Sequence, residues 1–186
     1  MKLDSVEARK ALADIDDIVQ RVRQSRIYDL ASQIMIMWGI LVLAGNLVNW
    51  LVPREGGTIW ISVNSLGVVG TAVLTTFDHR RTGLHTFDLR VFAAFVLFFA
   101  FGLLCSSVLG HFGWREMATF WPVYAMLFYV LAGLWFGRAF VAVGLGIIVL
   151  TLIGYFFITS AAFLLWMAVV NGGGLIVSGL WMRWGE

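Results

Sequence analysis

Between residues 30 and 182 the chain carries six apolar runs of about 20 residues, and none has an Asp, Glu, Lys, Arg or His in its middle. No other feature narrows the fold as much. A hydrocarbon core about 30 Å thick is crossed by about 20 apolar residues in a helix. Backbone N–H and C=O groups cannot stay open to lipid, so each run must satisfy its own hydrogen bonds, as a helix does. The runs are residues 30–52, closed by Pro53, then 58–77, 90–109, 119–136, 139–158 and 161–182. Composition agrees: 60% of the 186 residues are hydrophobic and 13% are charged, against roughly 45–50% and about 25% in soluble domains. The expected fold class is all-α, a polytopic membrane bundle of six transmembrane helices arranged as three helical hairpins and preceded by a cytoplasmic amphipathic helix. Residues 1–28 form that N-terminal helix and residues 29–186 the transmembrane domain. The first apolar run follows polar, charged sequence and is long enough to span, so it reads as a retained span rather than a cleaved signal.

Basic residues set the expected orientation. Lys2, Arg9, Lys10, Arg21, Arg23 and Arg26 precede the first run, and Arg80, Arg81 and Arg90 lie between the second and third. With six spans, Arg138 and Arg183 fall on the same side, and only Arg54 and Arg115 fall on the other. Both termini are therefore expected in the cytoplasm. Tryptophan favours the membrane–water interface. Trp50, Trp60, Trp114, Trp121 and Trp166 fall near the outer ends of their runs, and Trp135, Trp181 and Trp184 near the inner ends. Trp38 stands inside a run, roughly 12 Å deep at 1.5 Å per residue, where it either packs between helices or lines a cavity.

Each expected hairpin has a glycine in the middle of both helices. Gly45, Gly102 and Gly154 lie on the first helices, and Gly70, Gly133 and Gly179 on the second. Paired glycines are 25, 31 and 25 residues apart, which reads as a weak internal repeat of one hairpin per unit. The triple hairpin, the length and the phrase "FWPVYAMLFYVLAGLWFGR" resemble the HdeD-type acid-resistance membrane proteins of bacteria. The resemblance covers the spans but not the first 28 residues. It implies a stress-related role in a bacterial inner membrane and transfers no functional residue.

The stretch "NGGGLIVSGLW", Asn171 to Trp181, has three consecutive glycines inside an apolar run. Residues four apart share a helix face, and small residues there let helix backbones approach closely in lipid. Gly174 with Ser178, Gly133 with Gly137, Gly102 with Ser106 and Ala142 with Gly146 are such pairs. They are the expected helix-packing positions. A helix broken at a substrate site is the competing reading of the glycines.

Missing ionisable groups at depth argue against proton or ion coupling. What remains is amide and hydroxyl. Asn46, Asn49, Asn64 and Asn171 fall in the outer half of the bilayer in the expected topology. They either bridge helices by hydrogen bonds or, with Trp38, line one ligand-binding pocket. The pocket reading makes the chain a small-molecule binding or transport component.

On the cytoplasmic side, Asp4 and Glu7 have capping-box spacing. Leu12, Ile15, Val19 and Val22 then recur on one helical face, a candidate surface for a protein partner or for a homo-oligomer. The loop "FDHRRTGLHTFDLR" supplies positive charge, and Thr86 and Asp88 suit the start of the third helix. Its His79 and His85 lack a zinc-like ligand set, so no metal is expected. Cys105 stands alone, which excludes an intramolecular disulfide and any CxxC motif. There is no HExxH, phosphate loop, recognisable catalytic triad or pair of buried carboxylates. The expectation is therefore no enzyme, no cofactor and no nucleic-acid partner. The leading function is a non-enzymatic membrane protein that acts through protein or lipid contacts.

Overall fold

The computed structural model describes residues 5–82 and 89–184. Asp4 of the capping box and His85, Thr86 and Asp88 of the loop lie outside them. Every described element is helical. The order is α1 (Ser5–Leu51), a short 3-10 turn at Pro53–Glu55, α2 (Gly56–Thr82), α3 (Leu89–Leu103), α4 (Trp114–Phe136), α5 (Arg138–Phe157), α6 (Ala162–Met167) and α7 (Gly174–Trp184). A π-helical turn, Leu104–Leu109, ends α3, and another, Ala168–Gly173, joins α6 to α7. Five stretches are long and apolar enough to cross a membrane: Tyr28–Leu51, Pro53–Asp78, Trp114–Trp135, Arg138–Phe157 and Ala162–Trp184. Val96–Leu109 is a shorter apolar helix.

The expected amphipathic helix and first span are one element. Residues 24–30, Gln-Ser-Arg-Ile-Tyr-Asp-Leu, include no Gly or Pro, so nothing stops the helix at the membrane surface. It runs 47 residues, about 70 Å at 1.5 Å per residue, and ends where Pro53 removes a backbone donor.

Packing is uneven. Half of the last span, Ala162–Trp184, is buried, against 11% of the second. The core joins Met35 of α1, Met126 of α4, Phe140, Val143 and Ile147 of α5, and Val170, Leu175 and Met182 of the last span. At one end Tyr28 stacks on Phe140 with ring centroids 5.6 Å apart. The second and third apolar helices lie at the edge. α2 rests on α1 where Trp38 sits against Gly67 and Met37 against Gly70. α3 rests on α4 where Phe98 stacks on Tyr124 with centroids 4.0 Å apart, and the Tyr124 hydroxyl donates to the Phe98 carbonyl at 2.7 Å.

The tightest crossing joins α1 to the last span. A Cβ on Gly172 would stand 2.5 Å from Leu43 Cβ and 2.6 Å from its backbone nitrogen. One on Gly39 would meet the Gly172 carbonyl at 2.8 Å, and one on Gly179 the Ser32 carbonyl at 2.8 Å. Backbone cannot yield as a flexible side chain does. Gly172→Ala is therefore expected to lower stability by about 1–3 kcal/mol, the usual cost of overpacking. Gly173, with nothing within 4 Å of its Cβ position, should take alanine at no cost. Unfolding of the detergent-solubilised variants, followed by circular dichroism, checks the contrast. Equal midpoints would mean that the crossing is not tight.

Candidate functional site

The four asparagines lie on α1, on α2 and in the π-helical turn of the last span. Asn46 is buried and donates from Nδ2 to the Val42 carbonyl of its own helix at 2.9 Å. Asn49 lies at the turn into α2, with Oδ1 2.9 Å from the Cβ position of Gly56. Asn64 is exposed on α2 and donates to the Trp60 carbonyl at 2.7 Å. Asn171 is buried in the π-helical turn, where its Oδ1 accepts from Thr151 Oγ1 at 3.2 Å and its Nδ2 lies 3.3 Å from Met167 Sδ. Among the described residues no hydrogen bond joins two of these amides. Asn46 and Asn64 bond within their own helices: an amide on a helix finds the carbonyl four residues back without any partner helix. Asn171 bonds to Thr151 of α5. Trp38 packs between α1 and α2, and its indole donates to Thr71 Oγ1 at 3.0 Å.

The small residues are also sorted differently from the sequence pairs. Gly102 meets Tyr124 and Trp121 of α4, and Ser106 is buried in the π-helical turn after α3, its hydroxyl 3.4 Å from the Leu103 carbonyl. Gly133 lies against Val141, whose backbone nitrogen is 2.7 Å from its Cβ position. Gly137 makes the turn into α5 with φ 136° and ψ 158°, a conformation essentially confined to glycine. Gly174 and Ser178 do not make the crossing with α1. That crossing uses Gly172 and Gly179, two turns apart. At about 100° per residue Gly174 and Ser178 lie on a different face of α7 from Gly179, and Gly174 lies against Ile147 of α5.

There they border an open groove of about 440 Å³ between α5 and α7. Ala142 and Gly146 line its other wall, and Trp181 lies at one end. A smaller groove of about 250 Å³ runs beside α4 and α5, lined by Glu116, Thr119 and Tyr155 among others. Neither groove is lined by an asparagine.

Arg115 has a role that the sequence reading missed. It stands in the first turn of α4 and reaches the end of α5. Its guanidinium donates to the Tyr155 carbonyl at 2.6 Å, to the Ile158 carbonyl, and at 3.5 Å to the Gly154 carbonyl. The same group lies 4.5 Å from the Phe163 ring centroid and 5.5 Å from that of Tyr155. The last carbonyls of a helix lack intrahelical donors, and the helix dipole makes that end negative. One cation thus satisfies the end of α5 and ties α4, α5 and α6 together. The signal was visible: Arg115 is one of two basic residues on the side where the charge asymmetry leaves few, and the short Thr159–Ser160 link brings the α5 end near it.

On α1, Ile15 is 55% exposed, while the side chains of Leu12, Val19 and Val22 lie outside the described residues. Cys105 is half-buried. Among the described residues no three His, Cys, Asp or Glu side chains gather as a metal site would require. Comparison with family models, curated proteins and solved structures brings no match.

Two substitutions test these contacts. Arg115→Ala removes charge-assisted hydrogen bonds worth about 1.5–3 kcal/mol. It should lower the unfolding midpoint where Arg54→Ala does not. Thr151→Val leaves Asn171 Oδ1 without its donor. Interhelical hydrogen bonds in membranes average about 0.6 kcal/mol and reach about 1.7, so its expected loss is smaller than that of Arg115→Ala. The reverse order would mean that Arg115 lies free at the interface.

Proposed function

We propose that the chain is a non-enzymatic integral membrane protein that acts through protein or lipid contacts. It is an accessory or stress-related protein of the kind the HdeD resemblance implies. In this reading six helices span a bacterial inner membrane as three hairpins, with both termini cytoplasmic. The observation that carries it is α1. A helix of 47 residues is more than twice what the hydrocarbon core needs, and its unbroken extension carries the apolar stripe of Leu12, Ile15, Val19 and Val22 in sequence. Ile15 on that stripe is exposed. A rigid helix that projects from an anchored bundle suits a docking element.

The state of the polar groups supports the same reading. Thr75, Thr76, Asn46 and Asn64 are each bonded to a carbonyl of their own helix. An asparagine-lined ligand pocket would need Asn64 turned inward, whereas it lies exposed on α2.

Deleting residues 1–25 should leave insertion intact and abolish capture of whatever partner the full chain retains in its native membrane. In-cell photocrosslinking from position 15 reads this directly. The stripe should yield a defined crosslinked band, and Ile15→Asp should weaken it at least tenfold, a loss of about 1.4 kcal/mol. A band unchanged by Ile15→Asp, or an unaltered complex after the deletion, would overturn the docking role.

A further inference from the structure

We infer that the groove between α5 and α7 holds one acyl chain of an anionic phospholipid, whose phosphate lies at Arg138. The inference deepens the contact-based reading above and rests on it in taking this face as embedded in lipid.

The groove is apolar, with Val, Ile and Leu side chains along its walls and four small residues among them. Ala142 and Gly146 face Gly174 and Ser178, and Trp181 closes one end. A Cβ on Gly146 has nothing within 4 Å, so the space is open rather than filled by a neighbour. Its α5 wall runs from Ala142 to Leu150, about 12 Å at 1.5 Å per residue, most of the roughly 15 Å of one leaflet. Arg138 stands one turn before Ala142, beyond that end of the groove.

Charge identifies the head group. Arg138 is the first residue of α5. It stands four residues before Ala142 and so on the same helix face as that wall. It is exposed and has no hydrogen-bond or ion-pair partner among the described residues. The first turn of α5 carries no acid, and Gly137 offers no side-chain cap. The partial positive charge of a helix N-terminus adds to that of the guanidinium. Two positive contributions therefore coincide at the mouth of an apolar groove, at the depth where phosphates lie. Trp181 at the same end is 55% exposed and presents an indole of the kind that favours the head-group level. The opposite end of α5 differs: its cation, Arg115, is taken up by the helix carbonyls.

Native mass spectrometry of the full chain tests the assignment. The protein is released from mixed bilayers of dioleoyl phosphatidylglycerol and dioleoyl phosphatidylcholine. The wild type should keep one phosphatidylglycerol in preference to phosphatidylcholine. Arg138→Gln should reduce that preference about fivefold, the effect of one arginine near an anionic lipid surface, and Arg54→Gln at the opposite end should not. Gly146→Leu fills the open space without a clash and should remove both lipid adducts while helicity is kept. Equal retention of the two lipids by the wild type overturns the proposal, as does an unchanged preference in Arg138→Gln. Adducts that survive Gly146→Leu overturn the groove as the site. A dimer that Gly146→Leu dissociates shows instead that a second copy fills it. Deletion of residues 1–25 should leave the lipid adduct unchanged, so failure of the docking role and failure of the lipid site are separable.

Discussion

At the crossing of α1 with the last span, glycine lets backbone meet backbone. In water such a contact adds to a large gain from burying apolar surface. In lipid that gain is absent, because the acyl chains are as apolar as the side chains they replace. What remains is dispersion, which decays within an ångström of optimal separation. Gly39, Gly172 and Gly179 bring the two axes within that range. The last span is consequently the most buried helix, and α4 and α5 complete the core around it. Because α1 is a single helix, this one crossing also holds the base of its extension beyond the bundle.

A second use of glycine recurs within the hairpins. Gly45 lies by Trp60, Gly102 by Trp121 and Gly154 by Trp166. In each case the first helix supplies the glycine and the second an interfacial tryptophan. The glycines of the second helices have no such common partner. Gly70 receives Met37, Gly133 receives Val141, and Gly179 receives Ser32 and Ile36. α4 packs on α5 and α1 on the last span, while α2 and α3 stay at the edge.

The apolar runs were legible because bilayer thickness and backbone hydrogen bonding leave helices as the answer. Five of them stand as long apolar helices, and the third is shorter. Glycine positions were legible as places of close approach, but not the helix each one faces. Gly174 lies against Ile147 of α5, while Gly172 of the same run meets Leu43 of α1. Equal depth along a span says nothing about azimuth, and Asn46 and Asn64 both find carbonyls on their own helices. Polar and apolar segments share one helix across residue 28, since no breaker separates them.

The two ends of α5 show how topology constrains electrostatics in such a chain. Its C-terminal carbonyls need a cation, and the side on which they emerge has only Arg54 and Arg115 in the expected orientation. Arg115 is placed at the start of α4, the helix that runs antiparallel to α5, so its guanidinium arrives at those carbonyls. The N-terminal end needs an anion, and there the charge pattern works against it. The helix begins with Arg138 and has no acid in its first turn. One end of the helix is therefore satisfied from within the chain. At the other, Arg138 is exposed, with no hydrogen-bond or ion-pair partner among the described residues.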